Sequence, residues 1–186
     1  MARKEDLRFI RTNKKLYETF FELIKTQKME ELSITDICDA AGINRATFYK
    51  HFNDKKAFIM YCVAQKLRNL RIESRKTDAP FYSKMSECTL REIFAFIRYI
   101  RDVNADNLDP NGNSIRLICD SLMNFYFYEF VAYYEKGNYE DEYLDVRMRS
   151  AQTAGALLNM ALYAMLNGEE AMTEEACQQV IKARLK

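Results

Sequence analysis

Apolar residues recur at three- and four-residue steps through most of the chain, the spacing that lines one face of an α-helix. Over residues 5–26, Ile10, Tyr17, Phe20, Phe21 and Ile24 keep this register, while Arg8, Arg11, Lys14, Lys15 and Lys25 take the other faces. The register breaks at Lys28–Leu32. Ser33, with Asp36 three residues on, has the form of a capping box and opens a short helix through Ala41. Gly42 stands where a left-handed turn ends a helix at least cost. Asn44 caps a second short helix over 45–51, with Phe48 and Phe52 inward. Asn53-Asp54 starts a long helix reaching Arg75, with Phe58, Ile59, Cys62, Val63, Leu67 and Leu70 on its inner face.

The second half reads the same way. Lys76–Pro80 is a break, and helix resumes near Ser83 and runs to Asp102. Asn104–Asn113, with Pro110 and Gly112, is the clearest loop. Helices are expected over 114–135, over 140–166 after a turn at Gly137-Asn138, and over 173–185 beyond Gly168. No repeat or low-complexity segment interrupts them.

Composition narrows the class. Five Gly and two Pro in 186 residues supply too few turns for a β-rich fold. The expectation is an all-α, globular protein. No apolar run is long enough to span a membrane, and the charged start Met1–Asp6 does not read as a secretory signal. The five cysteines are odd in number and scattered, which fits small core residues in a reducing cytoplasm better than disulfides or a zinc site. The net charge of +1 hides an asymmetry: residues 1–76 hold 17 Lys and Arg against 10 Asp and Glu, leaving 11 against 17 beyond. A basic front on an acidic body suits a head that binds a polyanion.

Two short helices joined at a glycine form a helix-turn-helix, in which the second helix enters the DNA major groove and the first braces it. Here the second helix would fix itself by Phe48 and Phe52 and present Arg45, Thr47, Tyr49, Lys50 and His51 to base edges and phosphates. An ordinary helical hairpin with a solvated polar face has the same pattern. The residues decide between them. Thr35-x-Ile-x-x-x-Ala-Gly-Ile43, then Thr47-Phe-Tyr-x-His-Phe52 and the following Lys55, resemble the DNA-binding signature of the TetR/AcrR repressor family. The resemblance covers roughly residues 8–70; beyond 75 only length and helicity are similar. Cys38 stands where alanine is usual, and Ala46 where glycine is frequent.

This resemblance implies a homodimeric transcription regulator that binds a palindromic operator in double-stranded DNA. Its head would be a three-helix domain over 1–53. A helical ligand-binding and dimerisation domain would fill 54–186, with the 54–75 helix connecting the two. By position, Thr47, Tyr49 and His51 are similar to the family's backbone- and groove-facing residues. Lys55 matches a phosphate contact, Thr35 a further DNA contact, and Arg45, Ala46 and Lys50 the variable positions that set operator sequence. His51 is the only histidine, so a His-based catalytic pair or metal site would need other donors. No phosphate loop or nucleophile elbow occurs. No catalysis, cofactor or metal is expected.

The body is less specific. Phe125–Tyr134 is apolar on every face, as in a buried helix or a cavity wall. Phe94, Tyr99, Tyr126 and Tyr133 are candidates to line an inducer pocket, against plain core packing. Glu129 either counters a cationic ligand or points outward. The small-sided 140–166 helix permits close helix approach. With the 173–185 helix it resembles the family's dimer interface, giving Ala154, Leu157, Leu158, Ala161, Met165 and Val180 as candidates, against packing within one chain. The sequence names no inducer, and a body acting as a protein-interaction module without one is the alternative.

Overall fold

The computed structural model describes residues 4–74, 85–104, 112–138 and 144–167. Seven α-helices account for nearly all of them: α1 Lys4–Leu23, α2 Ile34–Ala41, α3 Arg45–His51, α4 Lys55–Ser74, α5 Met85–Asn104, α6 Asn113–Tyr133 and α7 Val146–Asn167. No strand occurs among the described residues. The fold class is all-α, as the turn-poor composition requires. The expected break at 76–80, most of the 104–113 loop, the stop at Gly168, the 173–185 helix and Cys177 lie outside the described residues, as do the side chains of Met165 and Val180.

Helix boundaries follow local hydrogen bonding. The α1 helix ends at Leu23 rather than 26, because Lys25 N–H bonds Glu22 O at 3.2 Å and Thr26 N–H bonds Leu23 O at 3.1 Å, tightening the last turn. The α7 helix begins at Val146 rather than 140, where the Asp145 carboxylate accepts from Met148 N–H at 2.9 Å. A single π turn, Tyr134–Asn138, closes α6 with Gly137 at φ 83°.

Two compact units divide the chain: Met1–Val63 with Ile100–Ile118, and Ala64–Tyr99 with Cys119–Lys186. The α4 helix therefore belongs to the first through Val63 and to the second from Ala64.

In the first unit α1 packs on α2 and α2 on α3. Phe58 of α4 gathers three helices around one ring, with centroids 5.6 Å from Phe20, 5.3 Å from Phe48 and 5.0 Å from Phe52, all edge-to-face. Phe20, Phe48 and Phe58 are almost wholly buried, each contributing on the order of 1.5–3 kcal/mol. Leu16 also lies at 0% exposure, whereas Ile10, expected inward, is 58% exposed. The buried stripe of α1 thus starts at Leu16, nearly two turns later than the spacing suggested.

In the second unit Leu67, Phe96, Tyr126, Phe130, Leu157 and Ala161 are core, and Leu70 is half-buried. The aromatic stretch of α6 is amphipathic after all: Phe125, Tyr126 and Phe130 are buried, while Tyr128 is 56% exposed. Phe127 lies under the Arg147 guanidinium at 5.3 Å.

Inside this unit Arg71 donates from Nε and Nη2 to the two oxygens of Glu92 at 2.6 and 2.9 Å, and from Nη1 to Glu129 at 2.6 Å. The Tyr126 hydroxyl donates to Glu92 at 3.1 Å. Of the two readings left open for Glu129, its partner is the chain's own cation. The bonds from Glu92 hold the Arg71 guanidinium well above its ordinary pKa, and burial pushes the Tyr126 phenol up.

Candidate nucleic-acid interface

The helix-turn-helix is built as its caps dictate. Ser33 Oγ accepts from Asp36 N–H at 3.1 Å, and the Asp36 carboxylate accepts from Ser33 N–H at 2.8 Å, a complete capping box opening α2. The Ser33 hydroxyl bond holds the Asp36 carboxyl below its usual range. Gly42 closes α2 at φ 58°, ψ 41°, its N–H on Asp39 O, while Ile43 N–H bonds Cys38 O at 2.9 Å. Asn44 Oδ1 accepts from Ala46 N–H at 2.7 Å and starts α3. A three-residue connection, Gly42–Asn44, thus fixes the angle at which α3 leaves α2.

The α3 helix divides sharply by exposure. Phe48 is fully buried and its C-cap Phe52 nearly so, while Arg45, Ala46, Tyr49 and Lys50 are exposed and Thr47 and His51 half-buried. Thr35, on the first turn of α2, is exposed as well. Tyr49, at 46% exposure, sits edge-on to Phe48 at 5.7 Å, so its ring is braced at the base. Arg45 stands at the first position of α3, with no acidic residue in that turn. A cation there opposes the helix dipole, so the position is poorly chosen for helix stability.

Two expected contact residues are already engaged. The Lys55 ammonium donates to Glu30 O at 3.0 Å, tying the start of α4 to the α1–α2 connection. Burial lowers its pKa, opposed by Glu30 and Asp36. His51 Nδ1 lies 2.6 Å from Asn13 Oδ1 on α1. Phe9, one turn earlier, stacks on the imidazole with centroids 3.9 Å apart and planes at 18°. Burial lowers the His51 pKa. The sequence reading missed Phe9 and Asn13; their four-residue spacing on α1 was the available signal.

The body candidates are less gathered. Tyr126 is a core residue held by Glu92. Lys66 Nζ caps the Tyr99 ring at 3.5 Å, Tyr133 packs edge-on to Tyr134, and Phe94 is half-buried. Ala154, Leu157, Leu158 and Ala161, expected at a dimer interface, are at most 8% exposed in the single chain. In the single chain these four side chains are therefore buried rather than presented at the surface. Cys38 and Cys62 are buried free thiols, and Cys88 and Cys119 are half-buried. Among the described residues no three His, Cys, Asp or Glu converge as metal ligands, and no helix is long and apolar enough to cross a membrane.

Capped helices set by a left-handed glycine, with an aromatic underside and a polar, cationic outer face, define a helix-turn-helix DNA-binding domain. Residues 17–61 match the family of bacterial regulatory proteins, tetR family. Residues 17–61 thus form a DNA-binding domain of the tetR type.

No curated protein matches the sequence. Among solved structures, a Pseudomonas aeruginosa PAO1 protein assigned as a transcriptional regulator is 16% identical over 92% of this chain and 86% of its own, with a TM-score of 0.47. RolR without ligand is 17% identical over 81% of each chain, with a TM-score of 0.45. The TetR family repressor AlkX from Dietzia sp. strain DQ12-45-1b, implicated in biodegradation of n-alkanes, is 15% identical over 82% and 80%, with a TM-score of 0.37. At that similarity they say nothing about what this chain binds.

Proposed function

We propose that this protein is a cytoplasmic repressor that binds a palindromic operator as a homodimer and is released by a small molecule held in its body. The observation that carries the reading is the outer face of α3: Arg45, Ala46, Tyr49 and Lys50 exposed over a buried Phe48, in a segment that matches the tetR family. The head is residues 1–53, and the 54–75 helix links it to a regulatory body over 54–186. Arg45, Ala46 and Lys50 read base edges; Thr35, Thr47, Tyr49 and His51 meet backbone and groove. Lys55 braces the head through Glu30 with one of its three ammonium donors and can turn another to a phosphate. A partner protomer would meet the outer side of α7, where Gln152, Asn159 and Tyr163 are exposed, since the inner stripe is occupied.

The test is selection from random duplex DNA by the purified protein, with the winning sequence then titrated across salt concentrations. A palindromic winner held far more tightly than random duplex supports the reading. Weak, steeply salt-dependent binding of every duplex alike would reduce the head to a charged surface. Release of the operator by no compound in a metabolite panel would remove the inducer and leave a body that answers to a partner protein.

A further inference from the structure

His51 ends the recognition helix, yet the groups that hold its ring belong to α1. Asn13 Oδ1 meets Nδ1 at 2.6 Å across 38 residues of sequence. Phe9 covers one ring face at 3.9 Å although it remains 47% exposed itself. An exposed phenylalanine stacked on a half-buried imidazole adds little to a core, and core packing alone does not account for placing it there.

We propose that Asn13 and Phe9 are positioning residues for DNA binding, acting through His51: they fix its ring plane and its tautomer and leave Nε2, as an acceptor, to meet an amino donor on a base edge. The inference rests on the reading that α3 faces DNA. A carbonyl oxygen only accepts, so Asn13 Oδ1 at Nδ1 requires the hydrogen on Nδ1. The bond at one ring nitrogen thereby sets the state of the other. Phe9 supplies what one hydrogen bond cannot: a single bond lets the ring pivot about it, and a face-on neighbour prevents the pivot. The α1 helix thus pre-orders a side chain at the far end of α3, removing an ordering cost from the DNA-bound state.

The experiment uses the full-length protein and a random-sequence duplex at low salt, so that no operator need be known. Fluorescence anisotropy gives the affinity of wild type, Asn13→Ala, Phe9→Ala, His51→Ala and Asn13→Ala/His51→Ala, with circular dichroism confirming the fold of each. Nitrogen NMR of the sole histidine reports its tautomer. The expected results are an Nδ1–H ring in wild type, loss of that preference in Asn13→Ala, and a drop in affinity of about threefold to tenfold, the size of one hydrogen bond. Asn13→Ala should then cost nothing further once His51 is alanine. An unchanged tautomer, or an Asn13→Ala loss that persists undiminished without His51, overturns the proposal. Duplex binding that His51→Ala leaves unaltered but Tyr49→Ala weakens overturns it while sparing the reading of α3. Absence of duplex binding by wild type overturns both.

Discussion

Replacing Arg71 by Met should cost the second unit far more than the loss of a surface ion pair. The side chain is 23% exposed and serves two carboxylates that differ in access to water, Glu92 at 7% and Glu129 at 31%. Glu129 can turn to solvent when the guanidinium goes. Glu92 cannot, and keeps only the Tyr126 hydroxyl at 3.1 Å. Stranding one buried partner of a pair costs about 3–5 kcal/mol, where an exposed pair contributes about 0–1 kcal/mol. For a chain of this length that corresponds to a fall in Tm of about 6–20 °C. Urea denaturation followed by circular dichroism at about pH 7.5 measures it directly. The double variant Arg71→Met/Glu92→Gln should recover most of the loss, because the remaining amide still accepts from Tyr126 and no charge is left unpaired. A deficit below about 1 kcal/mol that the double variant does not change would refute the reasoning and mean that water reaches Glu92.

Three further outcomes are expected. Tyr49→Ala should weaken binding to the selected operator by about 1–3 kcal/mol with an unchanged melting temperature, read by anisotropy and calorimetry; unaltered affinity removes Tyr49 from the interface. Gly42→Ala should destabilise the head by about 1–2 kcal/mol through the left-handed backbone alone, because the nearest atom to an added Cβ is the flexible Lys15 Nζ at 3.6 Å; a loss measured by urea denaturation that is much larger would point to a clash instead. The third concerns acid. Burial lowers the His51 pKa from 6.5, so near that value the unfolded chain binds more protons than the folded one, and stability falls as pH drops through the folded pKa. The urea midpoint of wild type relative to His51→Phe should therefore decline between about pH 7.5 and about pH 5.5. With a single histidine in the chain, a flat difference would show that the ring is not desolvated.

Local chemistry was legible in the sequence. The Ser33–Asp36 box, the Gly42 turn and the Asn44 cap are written in residues two or three apart. Capping is satisfied by neighbours in the chain, so spacing alone determines it. The inward Phe48, Phe52 and Phe58 followed from helical period in the same way. Together these define the recognition unit and the family it belongs to.

Only the tertiary structure decided which of several apolar faces would be covered, and by what. Ile10 keeps the α1 period yet is exposed, while the buried stripe begins only at Leu16. Tyr128 sits in a stretch apolar on every side yet stays 56% exposed, while Phe125, Tyr126 and Phe130 are buried. The small residues of α7 license close approach without naming the partner, and Ala154 and Ala161 are buried already in the single chain. The three engaged polar groups, Lys55 on Glu30, His51 on Asn13 and Arg71 between Glu92 and Glu129, join residues 25, 38 and up to 58 apart. Periodicity ranks faces by polarity, and caps fix helix ends, over a few residues. Pairing across such distances depends on how the helices cross, which no local pattern encodes.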